Sequence, residues 1–384
     1  MAYAIMLFLL VAVTGALTVI TPWLMPGNEC FAVAVPLGER ENEPLKGYMR
    51  SYARVMVVCV ALCLAALAIV LATGALNLDS DQGATGFSLA ITAAMLVPVV
   101  VSFGLMLHYR KLVQEVKAQR GWAATAGQSA AYVSPEEFPK PISVAWNLLY
   151  IPLIALLAGA AFALYDRFPA QIPMNVGFNG TVTRVVEKTP GTVLFPVLLA
   201  AFIGLIMVAC HVGIVHSKKA IDPAAPASSA LAYGRFARLQ SIILVAGGLL
   251  LSAASGVCFL LSSLEVISLN AAAIILIVVT FVFVIGIAVI SVMLGQSGAR
   301  VIAQPAGASG RQTGSSSGAM MRDDDKYWPL GVFYFNREEP SVFVPKRFGV
   351  GWTINLGQPL SWLAMVALVI AVIIFTIGIS ALVS

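Results

Sequence analysis

Few residues in this chain have the type and spacing to do chemistry. Asp323, Asp324 and Asp325 form an acidic triplet. Their oxygens would suit Mg²⁺ or Ca²⁺, but no Gly-punctuated loop of the EF-hand kind surrounds them, so they read as the solvated leader to a strand. His108, His211 and His216 fall near the ends of apolar runs, and Cys210 adjoins His211. Imidazole and thiolate would suit a transition metal. His211 and His216 are offset by more than about 100° around a helix, so interfacial hydrogen bonding is the better reading. Cys59 and Cys63 share a helical face, yet lack the exposed, electropositive setting of a redox pair. There is no G-x-S-x-G elbow, P-loop, H-E-x-x-H or dinucleotide fingerprint. With no nucleophile paired to a base, the expectation is a protein that is not an enzyme and carries no metal and no cofactor.

Two polar stretches remain as candidate binding elements. One is Asp166–Gly191, where Pro169 and Pro173 stiffen the start and Phe178-Asn179-Gly180 has turn chemistry. Its candidate ligand residues are Asn175, Asn179, Gly180, Arg184 and Lys188. The other is Arg322–Gly357, polar and aromatic, with candidate docking residues Tyr327, Trp328, Tyr334, Asn336, Lys346, Arg347, Trp352 and Asn355. Lys346 and Arg347 would meet phosphate, acidic groups or lipid headgroups.

The elements that position these stretches are apolar. Of the 384 residues, 59% are hydrophobic and 11% charged, against roughly 25% charged in soluble domains. Mean hydropathy is +0.91. Much of the chain therefore has lipid as its solvent. The net charge of +5 does not point to nucleic acid, because the Lys and Arg lie in loops beside apolar runs. Five scattered cysteines give no disulfide framework and no zinc knuckle.

Eight runs are long enough to span a bilayer at roughly 20 residues each: Tyr3–Met25, Val55–Leu76, Phe87–Leu107, Ile142–Tyr165, Val193–Val215, Leu239–Leu261, Ala271–Leu294 and Leu360–Val383. The first has no Lys or Arg ahead of it and is too long for a signal-peptide core, so it reads as a true span. Twenty of the 23 Lys and Arg fall in the loops between runs 1–2, 3–4, 5–6 and 7–8, and the other side keeps Arg167, Arg184 and Lys188. That asymmetry puts the odd-to-even loops in the cytoplasm and both termini outside.

Small residues recur every fourth position at Gly248, Ser252 and Gly256, and at Ala155, Gly159 and Ala163. This spacing lets helix backbones approach closely. Pro98, Pro152 and Pro196 are candidate kinks. No Asp, Glu, Lys or Arg lies in the core of any run, which lowers a transporter reading. Residues 303–320 are Gly/Ser-rich and read as a flexible tether. Beyond it, Val332–Phe335, Val342–Val344 and Val350–Ile354 are β-prone. So small a unit is expected to dock on the bilayer face or on the other cytoplasmic loops. Trp328, Trp352 and Trp362 suit the interface.

Two stretches carry family patterns. Ile172, Pro173, Gly180 and Lys188 fit I-P-x-H-[WF]-N-x-x-G-x-x-D-x-[WY]-x-x-K, with Asn175, Gly177, Thr183 and Val185 at the His, Asn, Asp and aromatic positions. This helix–loop–helix resembles the bacterial DUF1648 module. Tyr327, Trp328, Gly331, Phe333, Tyr334, Asn336, Val344, Lys346, Arg347, Gly349, Gly351, Trp352 and Asn355 fit D-x-x-Y-W-x-x-G-x-F-Y-x-N … V-x-K-R-x-G-x-G-W-x-x-N. That stretch resembles the DUF5808 module. Phe31–Pro36 with Tyr52 is similar to the F-G-V-x-V-P segment that often precedes DUF1648. The DUF1648 likeness extends distantly to Sdp-type immunity proteins, which implies protection against a secreted peptide and retention of a repressor at the membrane.

The expectation is an all-α polytopic membrane protein with about eight transmembrane helices, N-out/C-out, and a small cytoplasmic β-rich unit before the last helix. Its divisions are a three-helix segment (1–141), the DUF1648-like helix–loop–helix (142–216), helices six and seven (217–302), the tether (303–321), the DUF5808-like unit (322–358) and the last helix (359–384). The functional expectation is a multi-pass binding, signalling or immunity-type protein of the cell membrane. Its partners would be the lipid bilayer, a peptide, lipid or envelope ligand outside and a cytoplasmic protein inside. The alternative is a transporter or lipid-handling protein with a polar cavity near Pro98, Asn147 and Pro196.

Overall fold

The computed structural model describes residues 2–73, 80–123, 138–177, 180–221, 226–301 and 324–383. It is an all-α polytopic membrane protein. Its eight long helices are α1 (Ala2–Leu24), α2 (Leu45–Thr73), α3 (Asp81–Gln119), α4 (Tyr150–Ala163), α5 (Pro190–Val215), α6 (Pro226–Ser263), α7 (Leu269–Leu294) and α8 (Pro359–Val383). All eight, with a short 3₁₀ turn Val144–Leu149 leading into α4, are long and apolar enough to cross a membrane. Among the described residues there are also three two-stranded antiparallel ribbons: β1 (Glu29–Cys30) with β2 (Val33–Ala34), β3 (Gln171–Val176) with β4 (Val182–Glu187), and β5 (Phe343–Pro345) with β6 (Trp352–Ile354).

Local chemistry explains where several helices start and stop. The Ser80 hydroxyl accepts the Gly83 N–H at 3.1 Å and starts α3. At α5, Thr189 Oγ1 accepts the Thr192 N–H at 3.1 Å and Thr192 Oγ1 accepts the Thr189 N–H at 2.8 Å, with Pro190 as the first helical residue. Ser268 caps α7, which ends at Gly295 in the left-handed region. Three helices overrun the expected spans by ten residues or more, α2 by starting at Leu45 rather than Val55. α3 continues past Leu107 to Gln119 and carries Arg110 and Lys117 onto the polar side, while α6 begins 13 residues before Leu239.

The stripe on α6 packs as its spacing predicts. A Cβ on Gly256 would lie 2.4 Å from the Leu157 side chain, one on Gly248 would lie 2.5 Å from Tyr150 Oη, and the Ser252 hydroxyl donates to the Ala200 carbonyl at 2.6 Å. The second stripe does not pack. Ala155, Gly159 and Ala163 are exposed, and α4 buries Tyr150, Leu157 and Ala161 instead. Bulk on that face fills the groove against α5 and α6, leaving the small residues outward. Pro152 is no kink, because it sits in the first turn of α4, where its missing N–H has no partner to lose. At the centre of α1–α3, the Tyr52 hydroxyl bonds Ser102 Oγ at 2.7 Å and the Thr18 carbonyl at 3.0 Å. α8 lies at the edge, with Phe375 stacked on Phe202 of α5 at 3.9 Å.

One end of the bundle gathers β1–β2, the far end of α3, the segment after α5, the turn after α7 and the unit from 324 to 358. The other end carries the β3–β4 hairpin. The four loops richest in Lys and Arg thus share one end. The expected tether (303–321), together with Arg322 and Asp323, lies outside the described residues.

Candidate functional site

The unit before α8 is built around a turn. Gly349 (φ 92°) and Gly351 (φ 109°) occupy the left-handed region between β5 and β6. The turn folds Arg347 back into the protein, where it is 2% exposed. Its guanidinium pairs with Asp324 and Asp325, donates to the Ala32 carbonyl at 3.2 Å, lies 3.8 Å from Glu29 and covers the Trp328 ring at 5.5 Å. Asp325 also accepts Lys117 Nζ at 2.7 Å and the Ala34 N–H at 3.0 Å. Arg110 donates to the Ala32 carbonyl and, at 3.1 Å, to the Trp328 carbonyl. Three cations thus face three carboxylates from three distant parts of the chain. Such a balanced, hydrogen-bonded knot is the arrangement in which buried charge is tolerated.

The tip of β1–β2 fits into this knot. Phe31 (φ 44°) and Ala32 (φ 61°) form a two-residue hairpin turn with both residues left-handed, at a cost of roughly 1–2 kcal/mol each. The cost is offset on two sides. Phe31 packs 5.6 Å from Tyr52, 5.0 Å from Tyr109 and 6.0 Å from Phe348, while the Ala32 carbonyl receives two guanidinium groups. Gly331 (φ 74°) closes over the tip, and a Cβ there would lie 2.9 Å from that of Ala32.

The second half of the bundle holds the same unit. Trp352 packs 5.3 Å from Phe236 of α6. The Lys218 N–H donates to the Phe343 carbonyl at 2.8 Å, and its amine binds Glu339 at 2.5 Å. Burial would raise the Glu339 carboxyl, but the Lys218 amine and the Ser341 hydrogen bond hold it below its ordinary value. Gln296, just beyond α7, donates to the carbonyls of Lys346 and Gly351 at 2.9 and 2.8 Å. The unit therefore docks on the other loops of the same end.

Its expected docking residues divide. Trp328, Tyr334, Arg347 and Asn355 are buried. The Asn355 amide is spent on the carbonyls of Asn336, Glu339 and Ser341. Trp352, half-buried, faces α6. Tyr327 and Asn336 are half-buried, and Lys346 is exposed. The expected strand Val332–Phe335 is absent. Left-handed Leu330 and Gly331 bend the chain there, and Tyr334 makes a single bridge to Asn355. The turn leaves Phe333 and Phe335 outside, the latter 5.7 Å from the Arg337 guanidinium. Gln296 was not among the expected residues; its signal was a polar side chain between glycines, immediately after an apolar run.

At the opposite end, Ile172 is fully buried in the cluster formed by Leu157, Phe168, Val197 and Leu260, which seats the hairpin on α4, α5 and α6. Asn175 and Arg184 are cross-strand partners, both exposed. Gly180 lies against Asn270 of α7. Lys188 turns to the base, donating to the Phe168 and Tyr165 carbonyls at 3.1 and 3.4 Å. Phe178 and Asn179 lie outside the described residues. The structure thus brings Asn175 and Arg184 together and separates Lys188 from them.

At the depth of the alternative cavity, Asn147 is hydrogen-bonded to His211 at 3.0 Å. The void beside Pro98 is about 20 Å³, room for one water at roughly 15 Å³.

Residues 153–200 match the family model of a domain of unknown function, DUF1648. Residues 340–362 match that of a family of unknown function, DUF5808. The first match runs from α4 through the hairpin into α5. The second covers β5, β6 and the start of α8. No curated protein and no solved structure matches the chain.

Proposed function

We propose that this chain is a non-enzymatic binding and signalling protein of the cell membrane, with its basic end in the cytoplasm. The hairpin outside senses a peptide or an envelope component, and the unit inside docks a cytoplasmic protein. Sidedness follows from the Lys and Arg asymmetry, since basic loops stay on the cytoplasmic side.

The observation that carries this reading is the double attachment of α5. At its start, the Thr192 hydroxyl donates to the Glu187 carbonyl of β4 at 3.0 Å. At its finish, Gly213 packs on Phe343 and Lys218 binds β5. One helix therefore touches both the outer hairpin and the inner unit. A ligand that favours one position of the hairpin biases the unit through α5. The exposed Phe333 and Phe335, beside Arg337, offer an aromatic and cationic face of the kind protein partners use.

The experiment is a pulldown from native membranes in mild detergent, comparing wild type with Phe333→Ser/Phe335→Ser. Both side chains are exposed, so folding is preserved. A soluble protein recovered with wild type and lost with the variant supports the docking role. Equal recovery with both overturns it. The transporter reading gains nothing from Asn147, whose amide is engaged by His211, or from the void at Pro98.

A further inference from the structure

A cleft of about 90 Å³ opens at the basic end, room for about six waters at roughly 15 Å³ each. It lies between the segment after α5, the start of α6, the turn after α7 and the β5–β6 turn. Four cations line it: Lys218, Lys219, Lys346 and Arg347. Two are already neutralised, Arg347 by Asp324 and Asp325, and Lys218 by Glu339. Glu29, also on the wall, leans on Arg347. Among the described residues, no carboxylate pairs with Lys219 or Lys346.

Two further observations point the same way. Trp328 lines the cleft and is 2% exposed, yet its indole N–H has no acceptor among the described residues. A buried donor without an acceptor is costly. Ser229, in the first turn of the 38-residue α6, also lines the cleft, so the positive end of a long helix dipole faces it. Burial lowers the Lys346 amine from its ordinary value, even though the residue as a whole is exposed.

Two lysines without a carboxylate partner among the described residues, an indole donor without an acceptor and the first turn of a helix all border this cleft. A planar carboxylate has oxygens in one plane only; a tetrahedral oxyanion presents them in every direction. We propose that this cleft binds a phosphate group, carried by a phospholipid headgroup at the basic face or by free phosphate in solution. The site holds whether or not a protein docks on Phe333 and Phe335.

The test uses the full chain purified in neutral detergent and follows thermal unfolding. Inorganic phosphate is titrated against chloride at constant ionic strength, which removes simple screening. In a parallel arm the protein is placed in phosphatidylglycerol or phosphatidylcholine nanodiscs. A rise in Tm with inorganic phosphate assigns the free anion. A rise with phosphatidylglycerol alone assigns the headgroup. In either case Lys219→Ala/Lys346→Ala weakens the response at least tenfold, and Lys111→Ala on α3 leaves it unchanged. The single variant Lys219→Ala, at an exposed position, keeps the fold and weakens the response about threefold. No response in wild type, or an equal response in the Lys219 variants, overturns the proposal.

Discussion

Gln296 holds Gly351 in both directions: its side-chain oxygen accepts the Gly351 N–H at 2.8 Å, and its side-chain nitrogen donates to the Gly351 carbonyl at 2.8 Å. A side chain at the end of α7 does here what a neighbouring strand would do. Gln296 is 1% exposed, so water cannot replace it. Gln296→Ala is expected to cost about 1–3 kcal/mol by leaving a buried backbone group unsatisfied. The measurement is the Tm of the purified protein in detergent; an unchanged Tm would remove the clamp from the account.

Arg347→Ala leaves Glu29, Asp324 and Asp325 clustered without their central cation. The expected loss is about 3–5 kcal/mol, the usual result of stripping one partner from a buried charge set. Limited proteolysis of membranes should cut the Asp324–Gly357 unit far faster than in wild type. Arg347→Met combined with Asp324→Asn should recover part of the resistance, because it removes one positive and one negative charge together and leaves Asp325 paired with Lys117. Equal sensitivity of the single and double variants would argue against an electrostatic cause.

The carboxyl of Glu339 is held below its ordinary value of 4.5 in the folded protein. A depressed carboxyl binds fewer protons folded than unfolded, so its stabilisation is fully present above about pH 4.5 and fades as pH falls through the lower folded value. Glu339→Gln should flatten that part of the acid limb and leave the limb near pH 7 offset but parallel. Tm recorded across the acid range for both proteins decides it.

Sidedness is testable with two single cysteines in a background lacking the five native ones. Val182→Cys on β4 should react with a membrane-impermeant maleimide in intact cells. Lys326→Cys should react only after permeabilisation. Labelling of both in intact cells would contradict the proposed orientation.

The helices were legible because lipid leaves little choice: an apolar run of sufficient length must satisfy its own backbone, and the helix is how it does so. The gathering of the basic loops was legible from charge alone. The direction of Arg347 was not. Beside a membrane an Arg reads as a solvated cation, and its inward turn depends on Gly349 and Gly351 and on carboxylates 22 and 23 residues upstream. The pairing of Lys117 with Asp325 spans 208 residues, beyond any periodicity. The overrun of α3 was hidden by its polarity, since a helix leaving the bilayer loses the apolar signal that marked it. On α4, the small-residue spacing identified a face that could pack closely but not which face the neighbouring helices choose.

The separation of the knot's partners sets an order of assembly during synthesis. Ala34 meets Asp325 across 291 residues and Ala32 meets Arg347 across 315. At roughly 5–20 residues per second, the first loop leaves the ribosome about 15–60 s before its partners exist. Through that interval the Phe31–Ala32 tip, joined by Arg110 and Lys117 once α3 is made, stands at the membrane face without Asp324 and Asp325. The earliest loop to be translated is therefore among the last to become native, and a nascent chain halted before Asp324 would present an open, positively charged socket to the quality-control machinery.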